Sequence, residues 1–218
     1  MKIRENIEIK YSTNNVDYID SLKLMEKRVA KINLNKDKEL IWFLSHNHIY
    51  TVGTSGNNNE VRSKTNIPIL KTNRGGKVTY HGPGQRIVYL LINLQNRSKD
   101  IRKFVSIIEN STIQVLRDFD MQAKTYPERV GIWIVKNKNI KLEKERKIGA
   151  IGLRVRKWIT YHGLSFNINP DLDYYENIDA CGLPGYSTTS MRSLGNNITI
   201  NEFDNLYLKY FLQGLKNL

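Results

Sequence analysis

Arg74-Gly75-Gly76-Lys77-Val78-Thr79-Tyr80-His81-Gly82-Pro83-Gly84-Gln85 is the most informative stretch of this 218-residue chain. It contains four glycines and directly precedes an apolar, β-branched run, Arg86 to Leu94, which we predict to be a buried strand. Glycines let a backbone approach a ligand closely and present N–H groups that no Cβ obstructs. The segment is not a P-loop, because no Gly-Lys-Ser/Thr follows at the required offset. It is not a dinucleotide-binding fingerprint either, because the strand comes after the glycines and not before them. We therefore predict that this segment forms the wall of a different kind of ligand pocket.

A second segment, Lys147-Ile148-Gly149-Ala150-Ile151-Gly152-Leu153-Arg154, opens an apolar, glycine-containing strand with a lysine. An ammonium turned into a dry pocket would have a lowered pKa and could exchange protons. The alternative is a solvated lysine, since Lys141 and Lys144 precede it. A third segment, Tyr161-His162-Gly163-Leu164-Ser165-Phe166-Asn167, alternates like a strand. Its central glycine is typical of a strand that leaves room for a ligand.

Cys181 is the one cysteine and lies in a turn-like stretch, Cys181-Gly182-Leu183-Pro184-Gly185. A lone cysteine is often a small buried hydrophobe, but in a tight loop it is also a candidate nucleophile. One cysteine forms no intrachain disulfide, and no Cys/His cluster has zinc-site spacing, so we expect a reducing compartment and a cytoplasmic location. No stretch resembles a signal peptide or a membrane span, and no membrane association is expected.

Apolar periodicity predicts a mixed sheet with flanking helices, in an α/β or α+β arrangement, because strands and helices follow one another without strict alternation. Helices are predicted at 16–31, 103–119 and 201–215. Further strands are predicted at 39–44, 49–52, 131–135, 148–155 and 158–168.

The net charge is +13, with a sequence pI near 9.7. Six Lys or Arg residues and two Glu residues lie between Lys136 and Lys147, in a stretch that we expect to be an exposed hairpin tip or a mobile loop. A basic chain can bind nucleic acid or acidic proteins. No zinc-finger, basic-zipper or RNP-like pattern accompanies the charge, so nucleic-acid binding is the more distant alternative and no nucleic acid is expected as a partner.

Taken together and in this order, the motifs resemble the lipoyl(octanoyl) transferase family of lipoate biosynthesis. The family pattern Arg-Gly-Gly-x-x-Thr-Tyr/Phe-His-Gly-Pro-Gly-Gln is met at every fixed position from Arg74 to Gln85. A Lys-Ile-Ala/Gly pattern is met at Lys147 to Arg154, and His-Gly-Leu at His162 to Leu164. The family's Cys-Gly and Thr-Ser pairs occur at Cys181-Gly182 and Thr189-Ser190.

The resemblance is incomplete near the start of the chain. The family commonly has Glu-His-Pro-Pro-hydrophobic-Tyr-Thr-hydrophobic-Gly, whereas Ser45-His46-Asn47-His48-Ile49-Tyr50-Thr51-Val52-Gly53 lacks the Glu and both prolines. This difference leaves the role of His48 open.

The resemblance implies one octanoyltransferase domain over residues 1–218, with the fold of biotin and lipoate protein ligases: a mixed sheet with flanking helices and a smaller second sheet. It implies a monomer that takes octanoyl from octanoyl-acyl carrier protein, as a thioester on Cys181, and transfers it to a lysine of a lipoyl domain. The acceptors would be 2-oxoacid dehydrogenases and the glycine cleavage H protein. No cofactor or metal is implied, since the acyl group arrives activated.

By the same resemblance, Cys181 and Lys147 are the expected catalytic residues. Lys147 would act as a general base when neutral, or lower the thiol pKa when charged. The expected substrate-binding residues are Arg74, Gly75, Gly76, Lys77, Val78, Thr79, Tyr80, His81, Ala150, Ile151, Gly152, Gly163, Leu164 and Ser165. The closest alternative is an ATP-dependent lipoate or biotin ligase on the same fold, which would need neither Cys181 nor its pairing with Lys147.

Overall fold

A computed structural model describes residues 6–62, 65–178 and 186–218 of the chain. Three long helices are present: α1 (Tyr18–Asn33), α2 (Ile101–Arg117) and α3 (Ile200–Leu215). The strands are β1 (Ile7–Tyr11), β2 (Glu39–Leu44), β3 (Ile49–Val52), β4 (Ile69–Lys71), β5 (Val78–His81), β6 (Gln85–Leu91), β7 (Met121–Tyr126), β8 (Arg129–Asn137), β9 (Ile140–Arg156), β10 (Ile159–Asn167) and β11 (Ser187–Thr188).

The strands form one large mixed sheet and one small sheet. The large sheet has the order β1-β2-β6-β10-β9-β8-β7, and β11 pairs in parallel with β9. β1 is parallel to β2, and the remaining neighbours are antiparallel. The small sheet has the order β4-β3-β5. This architecture matches the predicted mixed sheet with flanking helices and a smaller second sheet.

The two faces of the large sheet are covered by different helices. α1 packs its apolar face, which includes Met25 and Val29, on one side of the sheet. α2 and α3 cover the other side with residues such as Phe104 and Phe211, and this side holds the main core. Among the described residues, no helix is long and apolar enough to cross a membrane.

The three helices begin close to where the periodicity places them, because local caps fix their ends. The Asp17 carboxylate accepts hydrogen bonds from the N–H groups of Ile19 and Asp20 at the start of α1. At the start of α3, Thr199 and Glu202 cap each other in a capping box.

The charged stretch from Lys136 to Lys147 is a hairpin, and the loop alternative is wrong. β8 and β9 both continue into it, so that Lys136 pairs with Lys141 and only Lys138 and Asn139 form the turn. The predicted strands 131–135 and 148–155 were therefore too short. High charge concealed them because most of the side chains between Lys138 and Arg146 are exposed.

The small sheet carries one third of the glycine-rich segment, Val78–His81. β5 pairs antiparallel with β3, with Thr79 opposite Thr51 and His81 opposite Ile49. The sequence predicted β3 with its observed bounds but missed β4 and β5. Both are short, and glycines flank β5, so neither shows a clear apolar alternation.

Candidate active site

The glycine-rich segment and the large sheet enclose a cavity of about 380 Å³. Thirteen of the fourteen residues predicted to bind substrate line it: Arg74, Gly75, Gly76, Lys77, Val78, Thr79, His81, Ala150, Ile151, Gly152, Gly163, Leu164 and Ser165. Three segments that are far apart in the sequence therefore meet around one space.

Tyr80 is the exception among the predicted residues. It is fully buried in the small-sheet core, where its ring stacks on Tyr174 at a centroid distance of 4.8 Å. Its hydroxyl lies 2.7 Å from Nδ1 of His48. Tyr80 thus anchors the small sheet instead of lining the cavity, and His48 supports it.

Small residues occupy the part of the large sheet that faces the cavity. Ala150 pairs with Ser165 across β9 and β10, and the next such pair is Gly152 with Gly163. Residues two apart on a strand share a face, so the small side chains of Ala150 and Ser165 leave room above the sheet next to Gly152. Leu164, on the alternate face, belongs to the main core. An extended apolar chain can lie over this strip.

Arg74 holds the glycine-rich segment in shape. Its guanidinium is buried and donates hydrogen bonds to the carbonyl oxygens of Thr51 (2.6 Å), Lys77 (2.8 Å) and Gly75 (3.0 Å). A planar group with five donors suits several carbonyls at once. Arg74 therefore acts first as a structural centre for the cavity wall.

Gly75 and Gly152 allow the wall to touch the sheet. The Gly75 N–H donates to the Leu153 carbonyl over 3.0 Å, and a Cβ on Gly75 would lie 2.9 Å from that same oxygen. A Cβ on Gly152 would lie 3.0 Å from the Gly75 carbonyl oxygen. Close backbone approach, more than conformational freedom, is what these two positions require.

Position 163 requires a glycine for a different reason from the one predicted. A Cβ there would lie 2.2 Å from the Val88 carbonyl oxygen, on the neighbouring strand β6. The space beside Gly163 is filled by protein backbone, so the expectation that this glycine makes room for a ligand is wrong.

Three buried histidines surround the inner end of the cavity. Burial, together with the nearby charge of Arg74, lowers the pKa of His162 to about 3. Burial likewise lowers the pKa of His46 to about 4, and it holds the pKa of His81 well below the usual range. All three are therefore neutral at pH 7. His81 and His162 line the cavity, whereas His46 supports Tyr89 through a 2.7 Å hydrogen bond.

Tyr18, Ile87 and Tyr89 also line the cavity, and they were not among the predicted residues. Tyr18 stacks on His81 with ring centroids 5.9 Å apart. Ile87 and Tyr89 lie in the strand predicted directly after the glycine-rich segment, and that position was the available signal for them. Tyr18 begins an ordinary amphipathic helix and had none.

Lys147 is buried inside β9, with 4% of its surface exposed. Its ammonium donates to the Val130 carbonyl over 3.0 Å and lies 5.6 Å from the centroid of the Trp133 ring. Gly131 makes space for it, since a Cβ there would lie 2.4 Å from Cε of Lys147. The alternative of a solvated surface lysine is therefore wrong.

Lys147 lines a small second pocket next to the main cavity. Thr79, Ala150 and Ser165 line both spaces, so the lysine adjoins the end of the cavity formed by these three residues. Gly149, Asn167, Tyr175 and Thr188 complete the lining of the small pocket.

Cys181, the predicted nucleophile, lies outside the described residues, as does the rest of its turn-like stretch, 181–185. Residues on both sides of it in the sequence are placed. Tyr175 and Thr188 line the Lys147 pocket, and Thr188 is the β-sheet partner of Lys147. Within the described ranges, no group of three or more acidic, cysteine or histidine side chains is arranged to hold a metal ion.

Comparison with known proteins identifies relatives of this chain. The model of the lipoyl protein ligase A/B catalytic domain matches residues 17–212. The octanoyltransferase of Bartonella bacilliformis is 41% identical over 211 residues, covering 95% of this chain and 88% of that protein. The octanoyltransferase of Wolbachia pipientis wMel is 43% identical over 197 residues, covering 90% and 93%.

Solved structures with low sequence identity share the fold. A bipartite lipoate protein ligase from Thermoplasma acidophilum aligns with a TM-score of 0.67 at 16% identity, covering 96% of this chain and 84% of that one. A biotin acetyl coenzyme A carboxylase synthetase from Helicobacter pylori aligns with a TM-score of 0.52 at 10% identity, covering 95% and 75%. The expected biotin/lipoate protein ligase-like fold is confirmed. The chain therefore belongs to the lipoyl protein ligase A/B catalytic domain family and is similar, over most of its length, to that family's octanoyltransferases, which are acyltransferases.

Proposed function

We propose that residues 1–218 act as one octanoyltransferase domain that moves an octanoyl group from acyl carrier protein to a lysine of a lipoyl domain, through a thioester on Cys181. The acyltransferase class follows from relatives that are more than 40% identical over most of the chain. The donor, the thioester and the residue roles are what the proposal adds. The acceptors would include 2-oxoacid dehydrogenases and the glycine cleavage H protein, and the enzyme would act as a cytoplasmic monomer.

The observation that carries the proposal is the position of Lys147 beside the chain that flanks Cys181. Tyr175 precedes the cysteine by six residues, Thr188 follows it by seven, and both line the Lys147 pocket. Connections this short allow the thiol to reach the same pocket, since an extended chain of six residues can span about 20 Å. A lysine and a cysteine brought together in this way can exchange a proton.

The first half-reaction transfers the acyl group to the enzyme. Neutral Lys147 takes the proton of the Cys181 thiol, and the thiolate attacks the carbonyl carbon of the octanoyl thioester. The new carbon–sulfur bond forms as the bond to the pantetheine sulfur breaks. Lys147 then returns its proton to the departing pantetheine thiolate, so the free lysine is restored.

The second half-reaction transfers the acyl group to the acceptor. The neutral amine of the acceptor lysine attacks the carbonyl carbon of the Cys181 thioester, an amide bond forms, and the cysteine leaves as a thiolate. Lys147 takes the proton that the amine loses and returns it to the thiolate. Backbone N–H groups of the glycine-rich segment or near Gly163 are candidates to stabilise the oxyanion formed in each step.

The strip of small residues at Ala150, Gly152 and Ser165 is where the octanoyl chain would lie. Each methylene buried there contributes about 0.8 kcal/mol, which favours an eight-carbon chain over short acyl groups. At the inner end, neutral histidines and tyrosines add no charge to this apolar space. The uncharged inner end and the adjoining Lys147 pocket together suit an uncharged chain that ends in a reactive thioester.

The ATP-dependent ligase alternative has less support. The solved ligases share the fold at 16% identity or less, whereas the octanoyltransferases are similar in sequence as well. The alternative would also need neither Cys181 nor its pairing with Lys147.

Intact-mass measurement after incubation with octanoyl-acyl carrier protein tests the proposal. The wild-type protein should gain the mass of one octanoyl group, and Cys181→Ala should not, although it remains folded. Octanoate with ATP should give no adduct on the wild type. An adduct that persists in Cys181→Ala, or one that forms only with ATP, would contradict the cysteine thioester mechanism.

A further inference from the structure

His162 reaches the cavity through a strained backbone conformation. Neighbouring residues on a strand ordinarily point to opposite faces, yet the rings of Tyr161 and His162 stack with centroids 5.0 Å apart. The φ of His162 is 60°, in the left-handed region that residues other than glycine rarely adopt. This conformation turns the imidazole to the face of β10 that Tyr161 shares with Ser165, which lines the cavity. Backbone strain of this kind is concentrated at functional sites.

The hydrogen bonds of Asn73 fix which nitrogen of His162 carries the proton. The Asn73 amide nitrogen donates to Oε1 of Glu26 and to the Tyr161 hydroxyl, each over 3.2 Å. The amide oxygen of Asn73 therefore faces Nε2 of His162, 2.9 Å away, and accepts a hydrogen bond from it. In neutral His162 the proton thus lies on Nε2, and Nδ1 is an acceptor.

That acceptor has no partner. Nδ1 of His162 is buried and makes no hydrogen bond with any described residue, and the same is true of the Tyr18 hydroxyl. The Thr72 hydroxyl lies near Tyr18 but donates to the Val52 carbonyl. His162 is 2% exposed, Tyr18 is 3% exposed, and both line the cavity. Unpaired polar atoms are costly to bury, so two of them on one cavity wall indicate a ligand with a polar group.

The two unpaired atoms belong to the same end of the cavity. Tyr18 stacks on His81 with ring centroids 5.9 Å apart, and His81 is close enough to His162 to interact with it electrostatically. Tyr18 and His162 also both lie close enough to Arg74 to sense its charge. A single small polar group at this end can therefore meet both side chains.

This end of the cavity lies away from Lys147. Ser165 lines both the cavity and the Lys147 pocket, and His162 comes three residues before it in β10. Three residues of a strand span about 10 Å, which is close to the length of an extended eight-carbon chain. An acyl group whose thioester lies at the Lys147 pocket would therefore bring its tail to His162 and Tyr18.

We propose that Nδ1 of His162 and the Tyr18 hydroxyl form a polar subsite that binds a hydroxyl group on the tail of a medium-chain acyl thioester. This inference rests on the proposed function, because that function places the acyl chain in the cavity. The hydroxyl of the ligand donates to Nδ1 of His162, which can only accept, and accepts from the Tyr18 hydroxyl. The cavity therefore takes hydroxylated chains as well as octanoyl.

Competition between two acyl donors of equal size tests the subsite. 7-Hydroxyheptanoyl-pantetheine has a hydroxyl where octanoyl-pantetheine has its terminal methyl group. Equal concentrations of both are mixed with the protein, and intact mass gives the early ratio of the two adducts. An apolar cavity should disfavour the hydroxyl by between about 10-fold and 100-fold. The wild type should instead take both chains within about threefold, because the subsite pairs the hydroxyl. 8-Hydroxyoctanoyl-pantetheine repeats the comparison with a chain one atom longer.

Two variants locate the effect at the subsite. Tyr18→Phe removes one hydroxyl and should lower the ratio of hydroxylated to octanoyl adduct by about 10-fold. His162→Gln loses Nδ1 but keeps an amide that can donate to Asn73, and it should lower the ratio in the same way. Tyr207→Phe is the matched control and should give the wild-type ratio. The Tyr207 hydroxyl is also buried and unpaired, but it lies in the main core, outside the cavity.

A wild type that disfavours both hydroxylated chains by about 10-fold or more would overturn the proposal, and so would equal ratios for Tyr18→Phe and Tyr207→Phe. If His162→Gln does not fold, as judged by its thermal unfolding, Tyr18→Phe decides. A wild type that forms no adduct from any donor refutes the proposed function. In that case the dissociation constants of the donors for Cys181→Ala, measured by isothermal titration calorimetry, give the same ratio without catalysis and decide the subsite.

Discussion

Lowering the pH from 7 to 5 should destabilise this protein far more than carboxylate titration alone would. His46 and His162 have pKa values of about 4 and about 3 in the folded protein because they are buried. In the unfolded chain both return to about 6.5. Below pH 6.5 the unfolded state therefore binds protons that the folded state does not bind. The free energy of unfolding falls as the pH falls.

The size of the effect follows from these values. One pKa unit corresponds to about 1.4 kcal/mol, and pH 5 lies about 1.5 units below the unfolded pKa, so each histidine should cost about 2 kcal/mol of stability. His46 and His162 together then remove about 4 kcal/mol, and His81 acts in the same direction. Since a typical domain has about 5–15 kcal/mol in total, this loss should be a large fraction of the stability of the protein.

Urea unfolding at pH 7 and pH 5, followed by circular dichroism, measures this difference. His162→Asn should reduce the loss by about 2 kcal/mol, because it removes one of the titrating groups. Asparagine suits the site, since His162 has a φ of 60°, in the left-handed region that asparagine tolerates. A wild-type stability at pH 5 within about 1 kcal/mol of that at pH 7 would refute the assignment of these histidines as neutral.

Three further outcomes are expected. Lys147→Arg should lose about as much transfer activity as Lys147→Ala, at least about 100-fold in steady-state assays, because a guanidinium cannot act as a base; an active arginine variant would make Lys147 an electrostatic residue. We expect the basic hairpin Lys136 to Lys147 to attract an acidic donor, so added salt should slow transfer from octanoyl-acyl carrier protein much more than transfer from octanoyl-pantetheine. Equal salt sensitivity of the two rates would show that the hairpin does not attract the carrier protein. Gly163→Ala should lower the midpoint of thermal unfolding, because its Cβ would lie 2.2 Å from the Val88 carbonyl oxygen, and an unchanged midpoint would contradict the tight strand contact.

The sequence was most informative where function restricts residue type most strongly. Arg74 to His81 was recognised as a cavity wall because clustered glycines let a backbone approach a ligand closely, and Ala150 and Gly152 were predicted from the family resemblance. The mixed sheet followed from apolar periodicity, whereas the small sheet did not, since its strands are too short to show a period.

Two features could not be obtained from the sequence because they depend on contacts between distant segments. Tyr18 lines the cavity only because α1 packs beside β6, and nothing in its helix marks it. Asn167 resembles any polar residue at the end of a strand until Thr189 is placed beside it. The predicted role of Cys181 stays a prediction, and so do its distance from Lys147, the cytoplasmic location and the monomeric state.

The bonds that Arg74 makes to the carbonyls of Thr51, Gly75 and Lys77 have a consequence for how a substrate would enter. These bonds lie within the chain, so they order the cavity wall as the protein folds. The conformational entropy of the wall is therefore lost during folding and not during binding. Binding to such a preformed wall loses little further conformational freedom. Substrates should therefore associate in a single kinetic phase, as in lock-and-key recognition, with no slow induced-fit step before chemistry.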